Sequence, residues 1–361
     1  MKKKFRKTSI VALLLVLVML AATACGGGDT GSSSGGESSG TPSEDTTVYD
    51  LVCNMTFIEV NAPGVAAAFE RATERSNGRL KFTIYWGNTL LNVREIPRGV
   101  EEGQAHISLL PLNMYTDQMQ LTSLMAQPFL GFKDKDHALG IIEQLHSEFP
   151  EIEQEYTDLG LTRIGFYALP PYQLHMTTTN PIRVPEDLGG DKIITTKLEI
   201  SDFFNAINCA PINSPITELF SSLESGVANG VVQMGAVLSG FNLLPLLNQH
   251  VIFPTGTHFD YCTFVVQTEM FNSLPADLQQ ILREELLLAA EAQKGQEQMQ
   301  ADINYKEQED AGKLFVYITE DELALWRAPV LAINESMISR IEANKPIARD
   351  VASRLRELIA Q

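Results

Sequence analysis

Basic residues are scarce in this 361-residue chain: 27 Lys and Arg stand against 45 Asp and Glu, a formal charge of −18. A surface that acidic repels phosphate backbones and anionic headgroups, which excludes nucleic-acid binding and electrostatic docking on a membrane. Cysteine is equally sparse. The four present, Cys25, Cys53, Cys209 and Cys262, show no CxxC or ligand spacing, so neither a disulfide framework nor a metal site is expected. The six histidines are scattered in the same way, and the chain has no G-x-S-x-G elbow, P-loop, H-E-x-x-H pair or dinucleotide fingerprint. Paired carboxylates such as Glu101-Glu102 and Glu284-Glu285 fall on expected helix surfaces, where water solvates them. Nothing sets a nucleophile beside a base, so no catalytic residue and no cofactor is assigned, and an enzyme is not expected.

What is present begins at the N-terminus. Lys2-Lys3-Lys4-Phe5-Arg6-Lys7 leads into an apolar run from Ile10 to Leu20, then Ala21-Ala22-Thr23-Ala24 and Cys25. The run is shorter than the roughly 20 residues of a membrane-spanning helix. The arrangement resembles a bacterial lipoprotein signal peptide, which implies that residues 1–24 are removed and that Cys25 is lipidated, anchoring the chain to the cell membrane from the extracytoplasmic side. Loss of Lys2, Lys3, Lys4, Arg6 and Lys7 leaves 22 basic against 45 acidic side chains, a formal charge of −23. Residues 26–46 are rich in Gly and Ser; such a flexible linker has a typical reach of roughly 25 Å. Cys53, Cys209 and Cys262, an odd set, are expected to be buried apolar fillers.

Residues 47–361 suffice for one large domain or two lobes. Strands are expected at Val48–Asn54, Leu80–Trp86, Ala105–Leu110, Thr162–Ala168, Leu174–Thr178, Lys192–Thr196 and Val231–Gln233. Helices alternate with them at Ala62–Ser76, Asn92–Glu102, Asp134–Tyr156, Ser201–Asn208 and Ile216–Ser225. This alternation predicts an α/β fold with largely parallel sheets. Ser273-Leu274-Pro275-Ala276-Asp277 then opens a helix whose composition persists to about Gln308. At about 1.5 Å per residue it outruns a single lobe and is expected to span both, across a hinge. A strand at Leu314–Ile318 and further helices complete the chain.

Aromatic and amide residues gather near expected strand ends: Phe57, Asn113, Tyr115, Tyr167, Tyr172, Gln233, Phe259 and Tyr261. Ligands of α/β sheets bind beyond the carboxyl ends of the strands, so these residues suit a cleft between lobes.

Several segments, in order, resemble the solute-binding proteins of tripartite ATP-independent periplasmic (TRAP) transporters, the DctP family. They are Phe69 to Leu80 with its Ser76-Asn77-Gly78-Arg79-Leu80 turn, Pro128-Phe129-Leu130, Pro181 to Ile193, and Glu218 to Gly230. The resemblance implies a two-lobed, periplasmic-binding-protein-like fold that closes by a hinge on one small-molecule solute, an organic acid, without catalysis, and hands it to TRAP permease membrane subunits. The first lobe is expected at about 47–168 with about 259–290, and the second at about 169–258 with the C-terminal helices. A lipid-anchored receptor of an ABC transporter is the alternative; the long helix and the Pro-Phe-Leu segment argue against it.

Two positions depart from the family pattern. Where the family carries a carboxylate-clamping arginine, this chain has Ile194, and the family's amide position is Gln233. A carboxylate left without a cation in a closed cleft is costly. Either Lys197 or His175 supplies the charge, or Thr195 and Gln233 bind a ligand of another kind through neutral hydrogen bonds.

Overall fold

The computed structural model describes residues 46–195, 197–214 and 216–361; the expected signal peptide, Cys25 and the linker up to residue 45 lie outside them. Among the described residues eleven strands form two sheets. They are β1 (Tyr49–Met55), β2 (Leu80–Trp86), β3 (Ile107–Pro111), β4 (Leu161–Ala168), β5 (Tyr172–Met176), β6 (Lys192–Thr195), β7 (Ala210–Asn213), β8 (Gly230–Met234), β9 (Gln249–Ile252), β10 (Tyr261–Gln267) and β11 (Leu314–Tyr317). The first lobe has the order β2-β1-β3-β10-β4 and the second β11-β9-β5-β8-β6-β7.

The sheets are mixed rather than largely parallel. β10 runs antiparallel to β3 and β4, and β5 antiparallel to β8 and β9. The cause is that β5 and β10 each begin where the chain changes lobe, so they enter their sheets against the direction set by the local β-α-β units. The sequence pattern predicts no strand at β7, β9 or β10.

Local chemistry sets the boundaries. The helix Pro63–Arg75 opens on Pro63 and buries Val65, Ala68, Phe69 and Ala72. It stops because Asn77 and Gly78 turn left-handed, the Gly78 amide donating to the Thr73 carbonyl at 2.9 Å. The stretch expected as one helix from Asp134 to Tyr156 is two, Lys135–Glu148 and Pro150–Thr157. Pro150 has no amide to continue the first ladder and instead starts the second.

The long helix, Ala276–Asp310, runs 35 residues, about 52 Å at 1.5 Å per residue. It docks closely on each lobe through a glycine. A Cβ on Gly64 would stand 2.4 Å from the Ala292 Cβ, and one on Gly235 would stand 2.5 Å from the Tyr305 ring. The contacts at its two ends differ in kind. Leu278, Leu282, Leu286 and Ala289 enter the main apolar core, whereas the buried residues toward the other end include Gln293, Asn304 and Gln308.

The C-terminal helices, expected with the second lobe, divide between the two. Trp326 packs on Phe203 and Phe253 of the second lobe, its indole donating to the Arg183 carbonyl at 2.7 Å. The last helix, Ala348–Ile359, buries Val351, Ala352, Leu355 and Leu358 against Ile141, Ile142 and Leu145 of the first. An apolar stripe at helical spacing must be covered, and the helix Lys135–Glu148 presents the matching one. Cys53, Cys209 and Cys262 are buried free thiols, as expected.

Candidate functional site

The chain crosses between the sheets at Leu169-Pro170-Pro171, joining β4 to β5, and again over 253–260, joining β9 to β10. The two crossings are tied together: the Leu169 amide donates to the Asp260 carbonyl at 3.0 Å, and the Thr257 amide to the Tyr172 carbonyl at 2.8 Å. A third segment joins them, since Pro128 bridges to His258 and the Phe129 amide donates to the Thr257 carbonyl. Proline at 170 and 171 fixes φ there and leaves no free amides, so the crossing is stiff where it leaves the first lobe.

Around these crossings lies a buried polar cluster. Lys197 precedes the helix Leu198–Ala206 of the second lobe, and its Nζ lies 3.2 Å from Asp260 Oδ2 on the second crossing. Both side chains are almost wholly removed from water, at 3% and 1% exposure. Tyr172 stacks on the His258 ring with centroids 4.3 Å apart. His258 Nδ1 pairs with Thr257 Oγ1 at 3.0 Å, while its Nε2 is buried without a hydrogen-bond partner. The Tyr167 hydroxyl is likewise buried, beside the Cys262 thiol.

Burial decides the charge states. It pushes His258 well below the usual imidazole range, with Lys197 adding to the effect, and pushes Tyr167, Tyr172 and Cys262 well above theirs. At neutral pH the imidazole, phenol and thiol groups around the Lys197–Asp260 pair are therefore uncharged. Glu297 of the long helix is also within electrostatic reach of Tyr167, Tyr172 and Cys262. Burial raises it to about 7, against the Gln293 hydrogen bond and the charge of Lys135, and its Oε2 has no partner. The Cys262 thiol stays protonated and has no activating base, so the cluster lacks nucleophilic chemistry.

Beside the cluster opens a cavity of about 260 Å³. Its walls are chiefly apolar, with Phe129, Phe132, Leu169, Phe259 and Ala301, and His258 is the wall it shares with the cluster. Lys135 and Gln298 supply polar edges, Lys135 Nζ donating to Gln298 Oε1 at 2.7 Å. Gln173, also on the wall, is already used: its amide bonds both the amide and the carbonyl of Phe253.

The residues singled out in the sequence fall into three places. Phe57, Tyr167, Lys197 and Phe259 converge on the crossings, with Phe57 and Tyr167 rings 6.2 Å apart. Tyr115 and Tyr261 are in the first-lobe core, Tyr115 donating to the Val93 carbonyl and Tyr261 to the Thr122 carbonyl. Asn113 lies in the single turn Leu112–Met114.

The remainder belong to the second sheet. His175 Nε2 donates to the Gln233 carbonyl at 3.0 Å, so its Nδ1 must accept from His250 Nδ1 at 2.8 Å. His250 Nε2 lies 3.4 Å from Gln308 Oε1. The Gln233 side chain accepts from the Met234 amide, and Thr195 pairs with Ser201. Ile194 packs among Leu219, Leu223, Val231 and Leu238. Strand alternation explains this, because Ile193 faces the main core and its neighbour must face the other way.

His258, Asp260 and Glu297 were missed. A signal existed for the first two: they are the one imidazole and the one carboxylate in the otherwise apolar and turn-forming run from Val251 to Val266. Among the described residues no group of three His, Cys, Asp or Glu converges as a metal site, and no helix is long and apolar enough to cross a membrane.

Two α/β lobes joined by paired crossings, with polar groups and a cavity at the junction, define a solute-binding receptor. The chain belongs to the bacterial extracellular solute-binding proteins, family 7 (DctP), which it matches over residues 64–340. These are extracytoplasmic transport receptors, not enzymes. It is 24% identical over 153 residues to the 2,3-diketo-L-gulonate-binding periplasmic protein of Escherichia coli, covering 42% of this chain and 45% of that one. The chain thus spans about half the length of the curated relatives it matches. Its fold is that of a TRAP periplasmic solute-binding protein from Ochrobactrum anthropi (TM-score 0.77, 16% identity, 87% and 97% of the two chains). It is also that of one from Bordetella bronchiseptica with bound mandelate (TM-score 0.71, 19% identity, 87% and 99%).

Proposed function

We propose that this protein captures a small organic acid between its lobes outside the cytoplasm and delivers it to TRAP permease membrane subunits. The observation that carries this reading is the buried Lys197–Asp260 pair at the lobe junction, set beside an apolar cavity of about 260 Å³. Lys197 takes over the role of cation that the family pattern gives to arginine and that Ile194, packed in a core, does not fill. The relatives named above support the class of solute, for one binds 2,3-diketo-L-gulonate and another holds mandelate, both organic acids. Acylation at Cys25 would keep the receptor beside its permease, and the linker would leave it free to turn; the mass of detergent-extracted protein tests that anchor.

Titration calorimetry against a panel of small organic acids is the test of binding. Saturable binding of at least one acid is expected. Lys197→Met should weaken it by about 10- to 100-fold, the cost of a charge-assisted hydrogen bond. If no organic acid binds at millimolar concentration, the receptor reading is lost.

A further inference from the structure

We propose that His258 selects the solute, its Nε2 accepting a hydrogen bond from a hydroxyl on the bound acid, so that the solute is a hydroxy acid. This rests on the receptor reading above and narrows its ligand class.

The tautomer of His258 follows from its neighbours. The Thr257 hydroxyl has one hydrogen to give, and the Tyr172 carbonyl, which can only accept, takes it at 3.3 Å. His258 Nδ1 lies 3.0 Å from the same hydroxyl oxygen and must therefore be the donor of that pair. Burial, with the charge of Lys197 adding to it, keeps the ring neutral. A neutral imidazole has a single N–H, so Nε2 carries a bare lone pair. That nitrogen is buried and has no hydrogen-bond partner among the described residues. Tyr172 covers a face of the ring, with centroids 4.3 Å apart, so a partner has to arrive at the ring's edge.

His258 is a wall of the cavity, and the two amide side chains on that wall are already engaged. Gln173 is bound at both ends to Phe253. Gln298 accepts from Lys135 at 2.7 Å and donates to Asp302 at 2.9 Å. Lys135 has further hydrogens to give, but an ammonium accepts none. The wall thus offers N–H groups to a carboxylate and, at His258, a buried acceptor that a carboxylate cannot use. A plain acid leaves that lone pair unpaired in the complex, whereas a hydroxyl fills it. The donor is a neutral hydroxyl rather than an ammonium, because Lys197 acts on the imidazole and Lys135 lines the same cavity. A further positive charge there would be repelled.

Calorimetry with the unmodified protein tests this on matched trios: lactate, pyruvate and propanoate, then hydroxyisocaproate, ketoisocaproate and isocaproate. The keto acid accepts at the carbon where the hydroxy acid donates, and the third member does neither. The hydroxy acid of at least one trio is expected to bind about 10- to 100-fold tighter than both its partners. His258→Phe keeps a ring on Tyr172 and removes both nitrogens. It should bring the hydroxy acid down to the level of the deoxy acid and leave the deoxy acid nearly unchanged. Hydroxy acids that bind no tighter than their partners would overturn the proposal, as would a preference that survives His258→Phe. Should that variant fail to fold, NMR of the His258 ring nitrogens in the unmodified protein decides alone: an unprotonated Nε2 is expected, and a protonated one overturns the proposal. Trios bound without preference would remove the hydroxyl and keep the receptor reading. No binding across the wider panel of organic acids would remove the receptor reading, and the hydroxyl with it.

Discussion

The two ends of the long helix are held by different physics. Toward Ala276 it is fixed by leucines in the main core and by Glu285, whose buried carboxylate takes Arg71 at 2.8 Å and Arg75 at 2.9 Å. Toward Asp310 the buried contacts mix amides with Ala301 and the Tyr305 ring: Asn304 donates to the Gly235 carbonyl at 2.7 Å, and Gln308 faces His250. Apolar surface bared to water on opening costs its full transfer free energy, whereas a hydrogen bond given up to water is largely replaced. The helix is therefore fixed more firmly to the first lobe. The second lobe is joined in part by contacts that water can take over.

The largest test of that contrast is Leu282→Ala, at a fully buried position of the apolar end. It should lower unfolding stability by about 2–5 kcal/mol, with solute affinity of the folded protein unchanged. Denaturant melts paired with calorimetry would show it; a change in affinity comparable to the change in stability would erase the distinction between the ends.

Acid should loosen the polar end first. Burial holds His175 well below the ordinary imidazole pKa and His250 down to about 4. Between pH 6.5 and about 4 the unfolded chain binds protons that the folded second lobe refuses, so the stability present above pH 6.5 is lost as the pH falls. The His250 contribution alone amounts to about 3 kcal/mol at pH 4. Hydrogen exchange of the β5 and β9 amides reads this locally, apart from Glu297, whose raised pKa acts in the opposite sense. Equal protection of those amides at pH 7 and pH 4 would refute it.

The smallest effect sharpens the comparison most. Asn304→Ala removes a buried donor and leaves the Gly235 carbonyl with only the Leu238 amide at 3.4 Å, at about 1–2 kcal/mol. Unlike Leu282→Ala, it is expected to alter the solute dissociation rate, because the contact joins the helix to the second lobe. Stopped-flow release from the two variants compares them directly.

Much of this architecture was legible because periodicity and caps are local signals. The Asn77-Gly78 stop, the β2 alternation and the length of the long helix all follow from spacing alone. β10 was not, because its Tyr261-Cys262-Thr263-Phe264-Val265-Val266 run is buried on both faces and lacks alternation. The site was legible only in part for a related reason. Lys197 stood out as a cation near a strand end, but its partner Asp260 lies 63 residues away and is brought to it by a crossing that no local pattern announces. Tyr115, Tyr261 and Ile194 sit near strand ends, as their sequence positions suggest, yet face into cores. Which face a side chain takes depends on the register of the neighbouring strand, and that is a tertiary property.

The three thiols carry a consequence for the protein's early life. Folded, Cys53, Cys209 and Cys262 are buried and protonated, burial raising all three, so oxidants and disulfide exchangers find no thiolate to attack. A newly exported, still unfolded chain has no such shelter in an oxidising compartment. Its route to the native state is then a race, in which closing the first sheet over Cys53 and Cys262 must outpace the chemistry that would cross-link them wrongly.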